Sequence, residues 1–439
     1  MNNRNLLLIL VLFFSGRQVT IAQRILTLKE ALDLALENNY DIEIAYNNLE
    51  VAKNNVKPGQ AGLHPDITLT SGADYSLGDA KQQFVNNDTP NVTLGAETRS
   101  IRASLGVSYT LFNGFINMNT LKRLSAFAEM TTYQTQATVE QIMMDIVTAY
   151  YLVAQLEDAI SVSQRNLEIS GQVLRRATIA KEIGTDNSLN YYNALVNHNN
   201  DSLNLINVLQ QKSEALNNLF FTIGAGEEEV TLEKNLVIAP VLKWEIVQET
   251  FERQNPRLKA ERHNVKIADL DVDLASGENM PRLTASGSYD YQRVNQDAGF
   301  INFNRTNGLG LGLSLTYPLY SGGRRQRALQ NAKVTKSNSE IALRKLERQL
   351  DMNLKNAYLR YTNAFTTYDL NSKNLSSAEV NFKRTNEKFR LGQVTTTQLR
   401  EAQLNLLTIE NEIIKSKYDF KSAEMELKRL MGVLMEFKL

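Results

Sequence analysis

The chain has no cysteine among its 439 residues. That excludes disulfides, thiolate zinc sites, cysteine nucleophiles and a lipid carried on an N-terminal cysteine. Proline is nearly as scarce. Pro58, Pro65, Pro90, Pro240, Pro256, Pro281 and Pro318 are all there are, so 91–239 and 319–439 are free of it. Because proline breaks helix interiors, its absence leaves room there for very long helices. Net charge is also missing: Lys+Arg and Asp+Glu number 48 each. The balance speaks against a nucleic-acid binder, whose basic face must neutralise phosphates, and against a polybasic membrane anchor. No apolar run is long enough to cross a bilayer as a helix. Leu6 to Phe14 comes nearest and is too short. With Arg4 before it, Ser15-Gly16 after it and Thr20-Ile21-Ala22 as the cleavage site, residues 1–22 read as a secretory signal. If this chain enters a membrane, it must do so by strands.

Chemistry is missing as well. His64, His198 and His263 lie far apart and in no metal-ligand spacing. Asp269-Leu270-Asp271-Val272-Asp273 starts like a calcium loop but has Leu274 and Met280 where glycine and glutamate are needed. Gly308, Gly310 and Gly312 alternate along a strand and do not form a dinucleotide loop. The expectation is therefore a protein without catalytic centre, cofactor or metal.

What is present is a sequence written twice. Leu28-Lys29-Glu30-Ala31, Asn39-Tyr40-Asp41 and Pro65 correspond to the stretch from Trp244, to Asn255-Pro256-Arg257 and to Pro281, at an offset of 216 (255 − 39). The offset then becomes 208 (318 − 110). Tyr109-Thr110-Leu111-Phe112-Asn113-Gly114 matches Tyr317-Pro318-Leu319-Tyr320-Ser321-Gly322, Ala149-Tyr150 matches Ala357-Tyr358, and Ile223-Gly224 matches Met431-Gly432. A first repeat at 23–224, a linker at 225–242, a second repeat at 243–432 and a tail at 433–439 follow. Each repeat reads as short helix, helix, two strands, a very long helix, a glycine turn and a second long helix.

Four segments alternate between apolar and small or polar residues, the signature of strands with two unlike faces. They lie at about 66–77, 99–112, 282–294 and 307–320. The clearest sets Leu309, Leu311, Leu313, Leu315 and Tyr317 against Gly308, Gly310, Gly312, Ser314 and Thr316. One home for the apolar face is the core of a soluble sandwich. Lipid fits better: the strands suit a tilted bilayer crossing, tyrosines gather near their ends, and the loops at 78–98 and 295–306 are polar. Four strands cannot close a barrel, and an open edge in lipid leaves backbone groups unpaired. Membrane insertion therefore requires other copies of the chain.

Helical periodicity covers about 117–183 and 186–222, then 324–391 and 394–431. The longer members would be ~100 Å at 1.5 Å per residue. Leu399, Ala402, Leu406, Ile409, Ile413, Ser416, Phe420, Ala423, Leu427 and Leu430 step by three and four alternately, a heptad seam. Gly184 and Gly392 fit sharp reversals, so each repeat makes an antiparallel coiled-coil hairpin.

The signal segment, the duplication, Leu111-Phe112-Asn113-Gly114, Leu319-Tyr320-Ser321-Gly322-Gly323-Arg324 and the Arg390-Leu391-Gly392 turn together resemble the TolC-like outer-membrane efflux proteins. The resemblance covers essentially the whole mature chain. It implies a mainly α fold with membrane β: a homotrimer forming a 12-stranded outer-membrane β-barrel, continued by a long α-helical coiled-coil barrel in the periplasm. It further implies a passive exit duct for efflux or type I secretion, whose partners are a periplasmic adaptor protein and an inner-membrane pump. By family position the constriction would be lined by Asn190, Gln398 and Glu401, of which only Glu401 carries a charge. The adaptor-contact tips would be Ile183, Gly184 and Thr185, and Leu391, Gly392 and Gln393. The rival expectation is an exported coiled-coil scaffold with no channel activity.

Overall fold

The computed structural model describes residues 24–85, 88–184, 188–226, 230–234 and 236–435. The expected signal segment at 1–22, the tip residue Thr185 and the end of the tail lie outside this set.

The first repeat runs β1 (Arg24–Leu26), α1 (Leu28–Asn38), α2 (Tyr40–Asn54), β2 (Asp66–Gln82), β3 (Asn91–Phe112), α3 (Ile116–Glu182) and α4 (Ser188–Ile223). The second runs β4 (Val230–Leu232), α5 (Trp244–Gln254), α6 (Pro256–Gly277), β5 (Arg282–Gln296), β6 (Phe303–Thr316), α7 (Arg324–Arg390) and α8 (Thr396–Met431). Helices α3 and α7 have 67 residues each, so each is ~100 Å long.

Three expectations need correction. The stretch 225–242 is more than a linker. It contains β4, which pairs in parallel with β1 and buries Val230 and Leu232. The polar segment 78–98 is mostly strand, because β2 continues to Gln82 and β3 begins at Asn91, with a bulge between Gly78 and Ala80. A ladder is made of backbone, so it outlasts the oily face that first reveals it. The last strand stops at Thr316, short of residue 320; Pro318 has no N–H to give a ladder and its ring restricts the residue before it.

The four long strands form one antiparallel sheet in the order β2-β3-β5-β6. Its register places Leu69 opposite Leu105, Leu105 opposite Tyr289 and Tyr289 opposite Leu309 on one face. Thr70, Ser104, Asp290 and Gly308 make the corresponding row on the other. Nothing among the described residues covers the apolar face: Ile67, Leu69, Leu309 and Leu311 are 68–82% exposed. No second sheet packs on it among the described residues, so the sandwich alternative fails.

The core lies where the short helices pack on the long ones. One cluster gathers Val139, Ile146, Tyr150 and Val153 of α3 with Leu32, Ile42 and Leu219. The other gathers Leu350, Leu354 and Tyr361 of α7 with Val247, Phe420 and Leu427, Tyr361 stacking on Phe420 at 5.3 Å between ring centroids. The duplication recurs in the fastenings. Asn39 caps α2 and donates to Thr222 O at 2.7 Å, while Asn255 caps α6 and donates to Leu430 O at 2.7 Å. Tyr150 Oη donates to Leu26 O at 2.8 Å just before α1, and Tyr358 Oη donates to Leu242 O at 3.0 Å just before α5. Gly224 and Gly432, both at φ 76°, bring the ends of α4 and α8 so close to these joints that a Cβ would sit 2.5 Å from Asn38 O and 2.6 Å from Gln254 O. Beside this core, nearly buried Glu424 accepts from Lys421 at 2.7 Å and Lys428 at 2.6 Å. Burial opposes its charge, but the two ammonium donors prevail and hold the carboxyl below the ordinary carboxylate range.

Candidate gate and hairpin tips

The far ends of the hairpins hold the residues the sequence nominated. Helix α7 ends in a Schellman turn. Gly392 lies at φ 73°, its N–H donates to Phe389 O at 3.0 Å, and the Gln393 N–H donates to Lys388 O at 2.9 Å. At the first tip Gly184 has φ 71° and its N–H donates to Lys181 O at 3.2 Å. No atom of the described residues would meet a Cβ on either glycine. Ile183 and Leu391 are 67% and 72% exposed. Each tip thus presents one bare aliphatic side chain beside an open glycine. Lys181 lies 4.0 Å from the ring centre of Tyr191, which ties α3 to α4 at the tip.

Helix α8 starts with a capping box. Gln398 N donates to Thr395 Oγ1 at 3.3 Å, and Thr395 N donates back to Gln398 Oε1 at 2.9 Å. Gln398 therefore serves the helix start, a role the Thr395-x-x-Gln398 spacing already spelled out. Glu401 follows on the same exposed helix face, with no ion pair among the described residues. Asn190 is half-buried on α4. Asn190 thus belongs to the first hairpin, and Gln398 and Glu401 to the second.

The adjacent face of α8 carries a connection that sequence reading missed. Arg400 grips Asp201 of α4 with two hydrogen bonds of 2.8 Å each. The side chains are only 17% and 6% exposed. Gln403, nearly one turn further on, donates to Asn166 Oδ1 of α3 at 2.6 Å. Together they bind the second hairpin to the first, close to the tips. A signal existed: Asp201, Lys212 and Glu214 are the only Asp, Glu, Lys or Arg residues in α4. A carboxylate isolated in an Asn-rich helix calls for a partner. Further up, Arg165 of α3 pairs with Glu410 of α8 at 3.0 Å. Burial still pushes the Glu410 carboxyl above the ordinary range, against the pull of Arg165. The histidines take no part in a shared centre: His263 pairs with Glu129 at 3.1 Å and His198 faces Ser170 at 3.3 Å.

At the opposite end, the inner face of the sheet is polar. Arg102 pairs with Asp74 at 2.9 Å, and Asp290 accepts from Ser104 and Ser288. Asp66, Thr68, Ser108, Ser286 and Ser288 help line a hollow of about 500 Å³ on this side.

A sheet oily outside and wet inside, continuous with two hairpins far longer than any globular domain needs, defines a membrane channel subunit. The comparisons specify which kind. The model of the outer membrane efflux protein family matches residues 31–225 and 248–433, one stretch per repeat. The chain belongs to that family. It is 21% identical to outer membrane protein TolC of Vibrio cholerae, covering 98% of this chain and 96% of that one. It is also 21% identical to the alkaline protease secretion protein AprF of Pseudomonas aeruginosa, over 94% and 85%. Among solved structures it resembles the Campylobacter jejuni CmeC outer membrane channel (TM-score 0.78, 16% identity, 93% and 86% covered). It likewise resembles the Vibrio cholerae outer membrane protein VceC (TM-score 0.73, 16% identity, 92% and 96% covered). The chain is an outer-membrane exit duct that extends into the periplasm.

Proposed function

We propose that three copies of the chain close a 12-stranded barrel in the outer membrane, and that their hairpins form a periplasmic tunnel which docks at its tip with an adaptor protein and an inner-membrane pump. The observation that carries this is the sheet itself. Its apolar face is bare and its outer strands, β2 and β6, each lack a partner on one side among the described residues. In lipid every unpaired backbone group costs several kcal/mol, so the edges must meet strands of neighbouring copies. The family's trimer supplies the number.

The duct is passive; energy comes from the pump. Ile183, Gly184, Thr185, Leu391, Gly392 and Gln393 form the docking tips. Asn190, Gln398 and Glu401 line the constriction, and the Arg400–Asp201 link holds the two hairpins of a protomer together while it is shut. AprF is named for protease secretion and the family for efflux, so both kinds of cargo suit this fold.

The test is the oligomeric state and conductance of the purified mature protein. A heat-modifiable trimer, extracted only by detergent and conducting in a planar bilayer, is expected. A stable monomer in detergent-free buffer overturns the proposal and favours the exported scaffold.

A further inference from the structure

Beyond the duct's oily band, the outward face of the sheet carries two arginines that have no counter-ion among the described residues. Arg293 on β5 lies directly opposite Arg305 on β6. The register puts both on the same face as Tyr289, Tyr291, Leu309 and Leu311, the face turned to lipid. Like charges directly opposite on neighbouring strands repel, so a bare pair here needs an anion from elsewhere. The adjacent outward-facing arginine, Arg99, behaves differently. It has its own carboxylate, Glu97, at 2.6 Å. Arg293 lies 5.3 Å from the ring centre of Phe303, and its only polar contact among the described residues is a long one, 3.5 Å, to Asn295 Oδ1. Neither Arg293 nor Arg305 forms an ion pair among the described residues, and both are exposed.

The height of the pair is informative. The helices leave the sheet at the Leu283 and Leu315 end and enter the periplasm, so the arginines are at the cell-exterior end. They stand two residues past Tyr291, roughly 5 Å further along the membrane normal for strands tilted 35–45°. That is the level of lipid headgroups, within the aromatic girdle: Tyr289 and Tyr291 lie below the pair, and Tyr75 and Phe303 lie one rung above it.

We propose that Arg293 and Arg305 form a binding site for the phosphate of an outer-leaflet lipid headgroup. Two guanidinium forks side by side match a phosphate, which accepts bidentate hydrogen bonds from each. Phe303, one rung further out opposite Asn295, packs against Arg293 and holds one fork in place. The occupant has to be lipid-borne because the site opens sideways into the bilayer and away from the lumen.

The proposal rests on the outer-membrane placement of the sheet, and its test separates the two. Native mass spectrometry of the detergent-purified oligomer is run with diphosphorylated lipid A and with its dephosphorylated form. The wild-type protein is expected to retain the phosphorylated lipid at least tenfold better. R293Q/R305Q is expected to lose that preference by on the order of ten- to thirtyfold, as two basic contacts at an anionic headgroup predict. R102Q, which removes a charge on the lumen face at nearly the same height, is expected to leave it intact. A wild-type protein that does not discriminate between the lipids overturns the site, whether or not the double variant assembles. So does an undiminished preference in R293Q/R305Q, or an equal loss in R102Q. If Arg305 instead pairs with a carboxylate of the neighbouring β2 in the closed barrel, R305Q lowers the dissociation temperature of the oligomer without touching lipid retention, which also overturns the site. Conductance of the same sample reports on the duct independently.

Discussion

The link between Arg400 and Asp201 gives the sharpest test of how the tip is held. Replacing Asp201 with alanine leaves a guanidinium that is 17% exposed and has lost the carboxylate it grips. Two charges about 4 Å apart near a protein surface attract by about 4 kcal/mol before desolvation is counted. Burial of Asp201 offsets part of this, and two well-aligned hydrogen bonds restore part. A coupling of about 2–3 kcal/mol per protomer is the expected net, or roughly 30- to 150-fold in a local opening equilibrium. Hydrogen exchange reads that equilibrium directly. In D201A, amides of α4 around 194–205 and of α8 around 396–406 should lose protection by that factor, while the equatorial stretch 139–156 of α3 keeps its own. R400A should behave alike. The double variant should be no worse than the worse single, because each partner is of use only with the other. High salt should narrow the gap between wild type and D201A only in part, since the pair is mostly shielded from solvent. Strictly additive losses in the double variant, or unchanged protection in D201A, refute the idea that this pair fastens the hairpins.

Three further outcomes follow from the same structure. A constriction with Glu401 as its only carboxylate should be blocked weakly by divalent cations, and E401A should remove most of that block; tight block that survives E401A in single-channel recordings defeats the assignment. E424Q should cost on the order of 3–5 kcal/mol, because it removes the negative charge that two nearly buried lysines share, and should lower the thermal unfolding midpoint. The Glu424 carboxyl is depressed in the folded state, so its stabilisation is complete above the unfolded value near 4.3 and fades as pH falls through the folded one; E424Q should flatten that acid limb of the stability curve. G224A and G392A both force alanine into a left-handed backbone, at about 1–2 kcal/mol. Only G224A also drives a Cβ to 2.5 Å from Asn38 O, whereas Gly392 opens on empty space. G224A should therefore destabilise more by thermal melting, and equal melting points would discredit the close-packed joint.

Much of this molecule could be read from the chain because the signals are local. The alternation of Leu309 to Leu315 with glycines and serine identifies a two-faced strand, and the seam from Leu399 to Leu430 identifies α8. The matched pairs Tyr150 with Tyr358 and Gly224 with Gly432 showed the duplication before their shared hydrogen-bonding and packing roles were visible. The capping role of Gln398 is equally local, written in Thr395-x-x-Gln398, although the family position assigns the residue to the constriction. The short β1–β4 pair escaped because three-residue strands carry no measurable period, and only burial against Tyr150 selects them.

By itself, then, the sequence determined the long elements, the lengths of the helices, the two-faced character of the strands and the twofold repetition. These depend on the spacing of side chains along a continuous stretch of backbone. The tertiary structure alone decided which faces meet: Arg400 with Asp201, 199 residues apart, Gln403 with Asn166, and Arg293 beside Arg305 across a strand pair. Such contacts depend on how rigid helices and strands are set against each other once the core at the equator has formed. A shift of one residue in a strand register would turn Arg293 from lipid to lumen. No local pattern along the chain records that choice.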